Sequence, residues 1–210
     1  MHARPPRRLL RIAPRWWRRG IVGRALFVFG SGLLLGACTP TFDWRELQPA
    51  DAPMIFMLPA RPSDMQRQVG LAGHDLPMRM FGARAAEQIF TAAWVDLHGH
   101  EGPGEDGVRA AVLEAMVQGM LRNIGATDQR DSKVELVAIS QHDGSKRMVL
   151  ARQVIASGNV DGRPMQMRAL FAMLPAQAHQ FVVMGADIND EAAQMFFDSI
   201  RLVVLPASGG

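Results

Sequence analysis

The lone cysteine of this chain, Cys38, closes an uncharged, largely apolar run over residues 25–37. That placement constrains everything on either side of it. A basic start, a short apolar stretch and small residues before a cut together describe an export signal. As a helix the run would span about 20 Å at about 1.5 Å per residue, short of the roughly 30 Å hydrocarbon core of a bilayer, so a signal is favoured over a permanent span. The expected division is a signal over residues 1–37 and a mature chain from Cys38. With no second cysteine, the exported part can form no internal disulfide, and its fold must rest on its core. From Cys38 onward, 173 of the 210 residues remain. That length fits one domain burying roughly 70% of the unfolded chain's surface.

The charge follows the same division. The net charge is +3, but residues 1–37 carry eight arginines and no acid. Subtracting those eight from the 23 Lys and Arg leaves 15 against all 20 Asp and Glu, a net −5 for the mature chain. A domain of that charge repels phosphate backbones and gains little from counterion release, so nucleic acid is excluded as its expected partner.

Leu35-Gly36-Ala37-Cys38 resembles the lipobox of bacterial lipoproteins: an aliphatic residue, two small residues, then the cysteine. The resemblance implies diacylglycerol attached to the Cys38 sulfur, cleavage between Ala37 and Cys38, and acylation of the new α-amino group. One acyl chain binds a membrane reversibly, at about 0.8 kcal/mol per buried methylene, and two or three make desorption negligible. Thr39 follows the cysteine where an Asp would imply retention in the inner membrane, so the resemblance implies the periplasmic face of the outer membrane. The implied partners are the membrane, through the acyl chains, and an envelope protein.

Residues 38–53 are polar and contain three prolines, which reads as a lipidated tether; Phe42 and Trp44 within it are expected to dock onto the domain. The domain is expected over residues 54–205, with a disordered tail at 206–210. Strand-like runs fall at residues 54–58, 65–69, 76–81, 89–97, 134–139, 148–156, 165–174 and 181–186, with turn signals at Asp143-Gly144 and Asp161-Gly162. Val108, Val112, Leu113, Met116, Val117, Met120, Leu121 and Ile124 recur at helical spacing, with Asp106 a candidate cap and Gly125 a stop. A second, shorter helix, capped by Asn189, buries Ala192, Ala193, Phe196, Phe197 and Ile200, and a last strand follows it.

This order predicts an α+β fold, an antiparallel sheet with one long helix and a short C-terminal helix packed on it. Ile55-Phe56-Met57-Leu58-Pro59 and the tail Ala193-Gln194-Met195-Phe196-Phe197-Asp198-Ser199-Ile200-Arg201-Leu202 resemble the opening strand and closing helix of the PsbP-like fold. The stretch from Cys38 to Glu46 is similar to uncharacterised proteobacterial lipoproteins. These motifs imply architecture and confer no activity.

Few residues suggest chemistry. There is no Gly-x-Ser-x-Gly elbow and no phosphate-cradling loop, and the single thiol is committed to acylation, so no catalytic residue and no cofactor is assigned. His98-Gly99-His100-Glu101, with Glu105 and Asp106 nearby, is a metal candidate, weighed against a solvated loop that precedes a helix. Met78 and Met80, and Met165 and Met167, have the thioethers Cu(I) favours, weighed against two core-facing strand positions. In both cases the structural reading is preferred, and no metal ligand is assigned. The functional expectation is a non-catalytic accessory or binding module on the outer membrane. The alternatives are a copper- or zinc-handling lipoprotein and a small-molecule or lipid carrier.

Overall fold

The computed structural model describes residues 41–204, except Glu101, Pro103 and His142. The signal, the Leu35-to-Cys38 motif and the 206–210 tail lie outside the described residues. Among those described, no helix is long and apolar enough to cross a membrane.

Ten strands carry the chain: β1 (Arg45–Leu47), β2 (Met54–Leu58), β3 (Ser63–Leu71), β4 (His74–Ala85), β5 (Gln88–Asp96), β6 (Ala126–Ser140), β7 (Lys146–Val160), β8 (Arg163–Leu174), β9 (Gln177–Gly185) and β10 (Arg201–Val204). Among the described residues two helices interrupt them, α1 (Asp106–Asn123) and α2 (Asp190–Ser199). The strands form a single sheet in the order β1-β2-β10-β6-β7-β8-β9-β5-β4-β3. Every pairing is antiparallel except β10 with β6, where Leu202 lies beside Ala138.

This architecture corrects the expected α+β, PsbP-like arrangement. Among the described residues strands hold 57% and helices 18%, and the sheet curls into a half-barrel. The curl is visible in contacts between strands that are far apart in the sheet. Phe56 of β2 lies 6.4 Å from Phe81 of β4 and 6.4 Å from Phe181 of β9. The enclosed face is therefore covered largely by the sheet's own edge, and only in part by α2. Folded residues also begin earlier than Met54. Phe42 and Trp44 stack at 6.1 Å, Trp44 meets Phe90 edge-on at 6.2 Å, and β1 pairs with β2.

The central strands are buried on both faces. In β9, Phe181 and Val183 face the enclosed core, while Ala178 and Val182 face α1. Helix α1 crosses the outer face diagonally. Its start lies by the His74 end of β4, where Arg109 donates to the His100 carbonyl and the His100 ring lies 4.9 Å from His74. Its far end meets β7, where the Asn159 amide donates to the Gly125 carbonyl. There is no room for a side chain at that crossing: a Cβ on Gly158 would run into the Ile124 carbonyl oxygen. Arg152 of β7 ties the middle of the helix down, bonding Glu114 at 2.5 Å and also Asp131 of β6. Asp106 is the first helical residue; Glu105 holds the capping position without a side-chain cap. Asn189 does cap α2, accepting from the Ala192 amide at 2.8 Å.

Candidate functional site

The loop after β5 carries the first metal candidate. Buried Leu97 anchors it, donating its amide to Ala176 at 2.8 Å. From there the two histidines diverge. The His98 amide donates to Asp96, and its ring, 71% exposed, stands 3.7 Å from the same carboxylate. The His100 ring turns to Glu105 at 3.1 Å and edge-on to His74. Arg109 lies against the His100 carbonyl and pairs with Asp106, placing a fixed positive charge where a cation would bind. Among the described residues, no three His, Cys, Asp or Glu side chains converge as a metal site. His74 was not foreseen, since sequence spacing links it to nothing. Only the packing of the β3–β4 hairpin beside the loop joins it to His100.

The methionine candidates belong to the outer-face core. Met78 and Met167 are buried beneath α1, and Met80 and Met165 are half-buried beside them. Their thioethers are packed among Ala93, Val95 and Phe171, as period-two spacing on a pleated strand allows.

On the enclosed face lies a polar group the sequence did not reveal. His179 is wholly buried, parallel to Phe181 and registered opposite Trp94. Neither ring nitrogen has a hydrogen-bond partner among the described residues, and the Gln177 Oε1 two positions earlier is likewise unpartnered. Burial pushes the His179 pKa down to about 3, so the ring is neutral at physiological pH. Nearby, Arg79 bonds Asp64 at 2.6 Å and Asp51 at 2.8 Å, with its guanidinium over Phe81 and Trp94. The hydrogen bond from Arg79 lowers the Asp64 pKa. This cluster fastens β3 and β4 to the stretch entering β2, a structural role.

Because α1 runs diagonally, two corners of the outer face stay open. One is apolar: Met148 and Leu150 of β7 are 53% and 60% exposed on the face that Val154 shares with the helix. The other lies at the opposite end, beside the β2–β3 link, a depression of about 320 Å³ over β3, β4 and β5. Arg61 and Arg84 line it, with Ser63, Met65, Met80 and Ile89. Sequence reasoning missed both, because each is defined by where the helix is absent.

No family model matches the chain, and no curated protein matches it. Among solved structures, it is similar to PA94, a Pseudomonas aeruginosa protein of unknown function, at 12% identity and a TM-score of 0.29. That match covers 68% of this chain and 82% of the other.

Proposed function

We propose that this chain is a lipoprotein held on the periplasmic face of the outer membrane through acylated Cys38, with its β-domain serving as a non-catalytic binding module. The carrying observation is the lipobox-like Leu35-Gly36-Ala37-Cys38, followed almost at once by a packed domain. Phe42, four residues after Cys38, already packs against the enclosed core. Four residues reach at most about 14 Å, so an acylated Cys38 would hold the domain close to the lipid surface. The open corner at Met148 and Leu150 supports the binding role, since exposed apolar side chains grouped on one face mark interaction surfaces.

The anchoring is tested by metabolic labelling with a palmitate analogue. Wild-type chain takes up label and partitions with membranes. Cys38→Ala loses the label and accumulates uncleaved or mis-cleaved precursor. Undiminished labelling of Cys38→Ala would sink the lipoprotein reading.

A further inference from the structure

We infer that the open corner beside Arg61 and Arg84 is a headgroup site for an anionic glycerophospholipid of the membrane to which the chain is anchored; this rests on the anchoring proposed above. Three observations converge on it. First, Arg61 and Arg84 line the depression, are exposed, and have no ion-pair partner among the described residues. Asp64, also at the depression, turns both its oxygens to Arg79. Two unpaired guanidinium groups at one depression suit a phosphodiester, which each can grip with paired donors.

Second, the lining changes character away from the arginines. Met65, 52% exposed, is registered opposite Met80, four residues along β4 from Arg84, whereas the half-buried Ile89 is the cross-strand neighbour of Arg84 itself. That apolar strip suits the first methylenes of an acyl chain, which free phosphate lacks. Third, the site lies at the end of the sheet where the described chain begins. The Asp43 amide donates to the Pro59 carbonyl at 2.8 Å, two residues before Arg61. An acyl anchor on Cys38, five residues before Asp43, brings this corner to the headgroup layer, where anionic lipid adds to the attraction of surface cations.

The test is native mass spectrometry of the full chain, purified in a mild non-ionic detergent and titrated with phosphatidylglycerol or phosphatidylcholine. Phosphatidylglycerol is retained at least about fivefold over phosphatidylcholine, and Arg61→Gln with Arg84→Gln brings the ratio close to one. The Arg84→Gln variant alone falls between. Arg147→Gln, at the opposite end, leaves the ratio unchanged. Equal retention of the two lipids, or a preference that survives the double substitution, overturns the site. So does displacement of the lipid by an equal concentration of inorganic phosphate, which would mark a simple anion site. The same spectra report the acyl mass on the chain. An unacylated chain that keeps the preference refutes the anchoring and leaves the site standing, whereas an acylated chain without the preference refutes the site.

Discussion

Replacing His179 with Leu should stabilise this protein, and by more at pH 5 than at pH 7.5. The imidazole is fully buried beside Phe181, and neither nitrogen has a partner among the described residues. A buried polar group left without a hydrogen bond costs about 1–3 kcal/mol, and Leu fills a similar volume without that cost. The expected gain at pH 7.5 is therefore about 2 kcal/mol. The pH term is separate. Burial holds the folded-state pKa at about 3, below the ordinary imidazole value of 6.5. Between those values the unfolded chain binds a proton that the folded chain does not. Stability is thus lost as pH falls through this window, at up to about 1.4 kcal/mol per unit. By pH 5 the wild type should have lost about 2 kcal/mol more than His179→Leu. Urea unfolding followed by circular dichroism at both pH values measures this, and other acid-sensitive groups cancel in the difference. A variant less stable at pH 7.5 would show that the imidazole has a partner. A difference equal at both pH values would show that it titrates normally when folded.

Three further outcomes follow from the packing. Gly158→Ala places a Cβ against the Ile124 carbonyl, so the helix end must lift from β7, and a cost above about 2 kcal/mol is expected by urea titration. Trp44→Ala removes the ring between Phe42 and Phe90 and should cost about 2 kcal/mol in the same assay; an unchanged midpoint would refute the docking of this stretch onto the domain. His98→Ala should change stability by less than about 0.5 kcal/mol and His100→Ala by up to about 1 kcal/mol. Calorimetric titration with Zn(II), Cu(II) or Cu(I) should show nothing tighter than micromolar; sub-micromolar binding lost with both histidines would put metal handling first.

What the amino-acid sequence determined by itself is local or chemical. Alternation placed β2 at residues 54–58 and marked part of each strand from β3 to β9, because each pattern lies within one segment, but β1 lies in the stretch expected as tether and β6 begins at Ala126, eight residues before its expected run. Three- and four-residue spacing located α1, and Asn189 capped α2 through a contact only three residues long. The Asp161-Gly162 turn was legible because both residues adopt positive φ, 52° and 80°, which Gly and Asp tolerate. The lipobox-like Leu35-Gly36-Ala37-Cys38, on which the proposed anchoring rests, involves only neighbouring residues. Tertiary structure decided the remainder. A strand buried on both faces loses its alternation, so the run expected at residues 181–186 leaves out Gln177 to Gln180, and His179 with them. Nothing local states that β10 pairs parallel with β6, or that β2 folds across β4 and β9. That closure turned an expected helix-covered sheet into a half-barrel. The arginine corner exists because α1 crosses the outer face at a slant, and the slant is set by contacts between residues far apart in the chain, such as Arg152 with Glu114 and Gly158 against Ile124.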